Sequence, residues 1–253
     1  MFIFTYLFKY IYQTLFGYGE KEKEETIYFD LETTGLNPYH DKIIEFAFIY
    51  ENYDEHLSAD FDEHNYINRI KENNNKLYGS DDYITALINP ETKFDRKITN
   101  ITNIHPDQLE DKSNITEMMP TIESFINYSF NTTKKDINSY LIAHNCDSFD
   151  KLFIKNAIKT YEKNTDNKIN CTNWYYIDTL LLAKKLYPNL FSYSLKNLSN
   201  IFKIKEGDHR ALNDTSCLQK IYHKMLDKLA IELKMSFDTL INNPSLVYDY
   251  IYN

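Results

Sequence analysis

The sequence predicts an α/β fold, a mixed five-stranded sheet flanked by helices, with an N-terminal helical extension and an insertion between strands two and three. Three observations lead there. Strand-like runs come first along the chain and then alternate with helical runs, the order of a mixed sheet with helices packed on it. A 43% hydrophobic and 26% charged composition over 253 residues supports a sizeable core. With only five glycines and six prolines, collagen-like, low-complexity and mostly disordered chains are excluded.

The first 18 residues are aromatic and aliphatic. Phe4, Leu7, Phe8, Ile11 and Leu15 recur at helical spacing, with Thr5, Lys9 and Gln13 on the opposite stripe. The stretch is shorter than the ~20 apolar residues of a bilayer span and no small-residue cleavage site follows it. It reads as a helix packed on the domain or against a protein partner, with a membrane-surface anchor as the alternative. From Thr26 the pattern changes. Thr26–Phe29 reads as a strand leading to Asp30, Lys42–Tyr50 as a second, well-buried strand, and Tyr83–Ile88 as a third, stopped by Asn89-Pro90. The polar stretch from about 51 to 82 is too long for a hairpin loop and is assigned as a surface insertion, helical near 66–77. A helix is expected over 120–130. A fourth strand, Tyr140–Ala143, runs into His144, and a helix follows from 149 to 163. A fifth strand covers Trp174–Ile177, with helices near 179–186, 194–201 and 211–234. Asn243-Pro244 suits the start of a last helix ending near Tyr252. The organisation is thus an extension (1–25), one α/β domain (26–235) and a helical tail (236–253).

A net charge of −9 disfavours broad coating of a duplex, which calls for a basic surface. A short grip on one strand end stays open, because bound cations reverse the local field. Cys146, Cys171 and Cys217 form an odd set without a C-x-x-C pair, against a disulfide framework or a zinc site. A reducing, intracellular setting, cytoplasmic or nuclear, is expected. The 22 tyrosines and 16 phenylalanines, with abundant Asn, Lys and Ile, fit an AT-rich genome, so the N-x-S/T matches at Asn100 and Asn114 are not read as glycosylation.

Three segments carry chemistry. In Phe29-Asp30-Leu31-Glu32-Thr33-Thr34-Gly35-Leu36, strand periodicity points Asp30 and Glu32 to one face. Two like charges there are unfavourable unless a cation or proton lies between them; the alternative is a strand end facing water. Gly35 releases the chain into a turn and allows close approach of a ligand. In His144-Asn145-Cys146-Asp147-Ser148-Phe149-Asp150 a further carboxylate sits where a strand meets a helix; capping by Asp147 or Ser148, with Asp150 favoured by the helix dipole, explains one of the two acids but not the preceding His-Asn. In Asp208-His209-Arg210-Ala211-Leu212-Asn213-Asp214, five residues of helix rotate by about 140°. His209 and Asp214 therefore converge only with His209 on a loop and Asp214 on the first turns; the alternative is a capping Asp208 and a solvent-facing histidine.

Order and content of these segments resemble the DEDDh branch of the DnaQ-like 3′–5′ exonucleases, which have a ribonuclease H-like fold. The family's first motif, D-x-E-T-T/A-G, matches Asp30 to Gly35. The second matches His144, Asn145, Phe149 and Asp150, and the third, H-x4-D, matches His209 and Asp214. Asn89-Pro90, the run Ile101 to Pro106 and Ile177 to Leu180 also look familial, closest in flavour to polymerase proofreading domains. The insertion and the aromatic N-terminus are departures, as is Asn103 at a usual glycine, although asparagine tolerates left-handed geometry.

The resemblance implies a metal-dependent 3′–5′ exonuclease that releases nucleoside 5′-monophosphates. Asp30, Glu32, Asp150 and Asp214 would hold two divalent cations, Mg²⁺ or Mn²⁺, which suit an all-oxygen set. Asp30 would bridge the two ions, and His209 would be the general base. Thr33, Thr34, Gly35, Leu36, His144, Asn145 and Phe149 would contact the 3′ end, single-stranded DNA being favoured over RNA. An exoribonuclease and a catalytically silent binding module on the same fold are the competing readings. The oligomeric state stays open.

Overall fold

Residues 23–51, 78–80, 83–127 and 137–253 are described in the structure, a computed structural model. The N-terminal helix expected over residues 1–18 and the helical stretch near 66–77 lie outside them.

The sheet is built on two strands whose side-chain alternation sets both faces. In β1 (Lys23–Thr33), Phe29 and Leu31 point into one core, while Tyr28, Asp30 and Glu32 share the other face. β2 (Ile43–Tyr50) pairs antiparallel with β1 and is buried along its whole length, as an apolar run covered on both faces should be. β3 (Tyr78–Ser80), β4 (Tyr83–Leu87), β5 (Ile137–Ala143) and β6 (Trp174–Asp178) complete a sheet of order β3-β4-β2-β1-β5-β6. β5 runs parallel to β1 and β6 parallel to β5, so the sheet is mixed. The five expected strands are all there, and the three-residue β3 at the end of the insertion adds a sixth at the edge.

Helices cover both faces. α1 (Arg96–Thr102) packs beside β4. α2 (Ile115–Asn127) and α3 (Asp150–Thr165) cover the face of Phe29, Leu31 and Phe48. On the other face lie α4 (Thr179–Leu186), α5 (Leu195–Phe202), the long α6 (Ala211–Leu233), α7 (Phe237–Ile241) and α8 (Pro244–Tyr252). α1 and α7 are too short to give a periodic signal and escape the sequence reading. The helix expected over 120–130 instead starts at Ile115. Asn114 and Glu117 exchange side-chain-to-backbone bonds at its start, and Pro120 lies inside the helix rather than opening it. Asn103 ends α1 with φ 55°, the left-handed geometry expected of it.

β1 also differs from expectation: it begins in the charged run at Lys23 and continues to Thr33. Parallel pairing of residues 23–28 with β5 overrides the low strand preference of Lys and Glu. Asp30 and Glu32 therefore stand within a strand rather than beyond one.

Candidate active site

At the end of β1 the pairing with β2 slips. Glu32 opposes Glu45, Thr33 opposes Ile43, and Ile44 is the extra residue of a bulge. Bulges re-aim side chains next to them. Below the bulge, Asp30 opposes Ala47. Ala47 packs with Ala211 and Leu212 of α6, and the two small alanine side chains let the first turn of α6 come down onto the carboxylate face of β1.

That turn carries Asp214, and His209 lies on the loop before it with φ 60°. The left-handed residue folds the loop back so that His209 and Asp214 face each other, as the five-residue spacing requires. Ligating atoms of Glu32, His209 and Asp214 all lie within 4.8 Å of one another. The His209 backbone N–H donates to the Asp214 carboxylate. Asp208, the alternative capping residue, instead accepts from Asn213 at 3.0 Å.

The second segment reaches the same place from β5. The buried Asp178 carboxylate accepts from the backbone N–H groups of Asn145 (3.0 Å), Asp147 (3.1 Å) and Leu180 (2.8 Å). It thereby clamps the loop, with Asn145 at φ 62°, and caps α4 together. Asp147 is engaged by Lys151 at 2.6 Å and by the Tyr252 hydroxyl at 2.9 Å. Asp150 is the free acid of the pair. It is buried, the Leu31 backbone N–H bonds its carboxylate, and its Oδ1 has no hydrogen-bond partner among the described residues.

Electrostatics follow from this crowding. Burial first, then Asp150, Glu32, Asp214 and Glu45, raise Asp30 well above the usual carboxylate range. Glu32 is pushed up to about 9 by burial and by Glu45, Asp214 and Asp150, against a lowering pull from Arg210. Burial pushes Asp150 to about 8 and Asp214 to about 6. Four mutually repelling carboxylates with a buried, unpartnered oxygen are the donor set that a divalent cation relieves, so the residues fit such a group. Their oxygens favour a hard cation.

The remaining expected site residues separate. Thr33 bonds the Gly35 carbonyl at 2.6 Å, and Thr34 accepts from the Lys42 N–H at 2.9 Å. Asp41 packs against Gly35, where an added Cβ would lie 2.5 Å from its Oδ2, and it accepts from the Asn37 N–H. This braced loop holds out Leu36 and Tyr39, which are 83% and 73% exposed. Asn145 is exposed beside the loop clamp. His144 is engaged by the start of α4: its Nδ1 lies 2.9 Å from Thr179 Oγ1, and burial lowers its pKa. Phe149 packs against Phe153 at the edge of the core.

Two residues of this neighbourhood escape the motif reading. One is Glu45. The other is Gly207, where an added Cβ would lie 1.6 Å from Asp214 Oδ1. Gly207→Ala is expected to displace that carboxylate and lower turnover about 10-fold or more, since small misplacements at a reacting centre are costly. Steady-state kinetics on a fully folded variant check this.

No helix among the described residues is long and apolar enough to cross a membrane. The exonuclease family model RNase_T matches residues 27–222. The chain is 30% identical over 215 residues to a PolC-type DNA polymerase III of Caldanaerobacter subterraneus, covering 83% of this chain and 12% of the polymerase. It is 28% identical over 223 residues to the chloroplastic/mitochondrial exonuclease DPD1 of Arabidopsis thaliana, covering 84% of this chain and 58% of that protein. Among solved structures, exonuclease I superposes with a TM-score of 0.60 at 17% identity, over 87% of this chain and 44% of the other. Exonuclease X in complex with 5′ overhanging duplex DNA superposes with a TM-score of 0.50 at 19% identity, over 80% of this chain and 91% of the other.

Proposed function

The chain belongs to the RNase_T exonuclease family with a ribonuclease H-like fold, and from that premise we propose that it removes nucleoside 5′-monophosphates from the 3′ end of single-stranded DNA. The observation that carries the reading is the convergence of Glu32, His209 and Asp214 within 4.8 Å, beside the unpartnered oxygen of Asp150. DNA is favoured because the matched relatives include DNA polymerases. Those polymerases are far longer than this chain, so their assemblies are not carried over.

Asp30, Glu32, Asp150 and Asp214 would hold two divalent cations, Mg²⁺ or Mn²⁺, by their carboxylate oxygens. When bound, the ions supply charge stabilisation of an in-line phosphoryl displacement. His209, exposed on its loop, accepts the proton of the attacking water on its ring nitrogen. Asp214, bonded to the His209 backbone, keeps that ring over the site. The braced loop offers the exposed Leu36 to the terminal base, and the exposed Asn145 offers its amide to the strand end. His144 and Phe149 support the clamp and the core, and contribute to substrate binding through the shape of the loop between them.

The test is the purified chain with 5′-labelled single-stranded DNA and RNA, in Mg²⁺, Mn²⁺ or EDTA. A metal-dependent ladder shortening from the 3′ end and lost in Asp214→Ala is expected, with DNA degraded faster than RNA. His209→Ala should lose about 10²–10⁴-fold in turnover while still binding Mn²⁺ by titration calorimetry. A fully active His209→Ala would remove the base assignment, and faster RNA decay would reverse the substrate preference.

A further inference from the structure

Glu45 is the single charged residue in the run Ile43–Tyr50, and it is only 1% exposed. It stands opposite Glu32, on the face that carries the acids. A carboxylate buried beside other carboxylates is costly unless a cation pairs with it or a proton neutralises it. Its partner is Arg210. The guanidinium Nε reaches both oxygens, at 3.2 and 3.1 Å, and Nη2 reaches Oε1 at 2.6 Å. Oε2 also accepts from the Ala211 backbone N–H at 2.9 Å. Ala211 is the first residue of α6, and the Arg210 side chain makes no capping bond there. Helix starts carry orphan N–H groups; here one is satisfied from a neighbouring strand, far away in sequence.

The two gripped residues lie between His209 and Asp214. His209, at φ 60°, reverses the chain immediately before the grip, and Asp214 follows within the first turn after it. Both are thus displaced together if the grip fails, while the rest of α6 is held by its own packing on β1 and β2. We propose that Glu45 is a positioning residue of the exonuclease reaction, fixing through Arg210 and Ala211 the start of α6 and so the approach of His209 and Asp214 to Glu32. This rests on the roles given above to His209 and Asp214. Arg210 has a second effect, as the cation that draws Glu32 back toward its charged form.

The experiment compares the parent chain with E45Q, R210K and E45M/R210M. Melting temperature, kcat, KM and the ¹H–¹³C resonance of the His209 ring (assigned with H209Q) are measured for each. E45Q takes the bidentate carboxylate partner from a largely buried guanidinium and is expected to melt lower by about 10 °C. E45M/R210M removes both charges and should recover most of that loss. Both are nevertheless expected to lose about 10²-fold in kcat with KM changed no more than about two-fold, the signature of misplacement felt in the transition state. R210K keeps the charge but not the fork, and is expected to fall between them and the parent. The His209 resonance should shift or broaden in E45Q and in the double variant. An E45M/R210M protein that melts like the parent and turns over like it would reduce the pair to a structural role and overturn the proposal. So would a parental His209 resonance in E45Q, which decides alone if the double variant does not fold. An inactive parent would instead defeat the proposed function, and the ring resonance would still report on positioning.

Discussion

Asp30→Asn is expected to abolish turnover, by about 10³-fold or more, and at the same time to raise the melting temperature of the metal-free protein. The two effects share one cause. Asp30 is surrounded by Asp150, Glu32, Asp214 and Glu45, each of which disfavours its charged form. An amide of the same shape removes one member of this repelling set and offers the neighbouring carboxylates a donor. Each kcal/mol of relief raises the midpoint by about 2–4 °C in a domain of this size. In saturating Mn²⁺ the order should invert, because the parent gains binding energy that the variant lacks. Differential scanning calorimetry at pH 8, in EDTA and in Mn²⁺, reads both arms. A variant that melts below the parent in EDTA would show that the acids are not in mutual repulsion.

Raising the pH from 7 to 8.5 in EDTA is expected to lower the parent's melting temperature, and divalent cation is expected to suppress that fall. The sign follows from proton uptake. Glu32 and Asp150 lie at about 9 and about 8 in the folded protein, against ~4.3 and ~3.9 when unfolded. Carboxyls raised in this way stabilise fully below their unfolded values, and that stability is lost as pH rises through the folded ones. Asp214, at about 6, has lost most of its share by pH 7. Histidine and thiol titration adds little within this window. His144, lowered by burial, destabilises only on the acid side of its unfolded value of ~6.5. The thiols of Cys146, Cys171 and Cys217 are raised by burial and contribute only at the top of the window, as unfolded cysteine ionises near ~8.5. Cation binds the deprotonated carboxylates, so it replaces the lost protons. A midpoint that stays flat from pH 7 to 8.5 in EDTA would contradict the raised carboxyls of Glu32 and Asp150.

The sequence alone determined the five main strands, the helices from α3 to α6 and the last helix, and the residues of three acidic segments. It could do so because these features are local. A two-residue period puts Asp30 and Glu32 on one face whatever they pack against, and a five-residue spacing demands a loop before Asp214, which the left-handed His209 supplies. Tertiary structure decided the rest, where the partners are distant in sequence. Pairing with β5 drew the charged residues after Lys23 into β1, and no local preference signals that. Asp178, read only as a familial connecting residue, proved to clamp the loop that holds Asp150. His144 and Phe149 matched a motif, and only the fold showed that they meet Thr179 and Phe153. In the sequence Glu45 is one charged residue in an otherwise apolar run. A carboxylate there must find a cation to be buried, but which cation, and that the pairing would seat the start of α6, depended on two segments 165 residues apart meeting across the sheet.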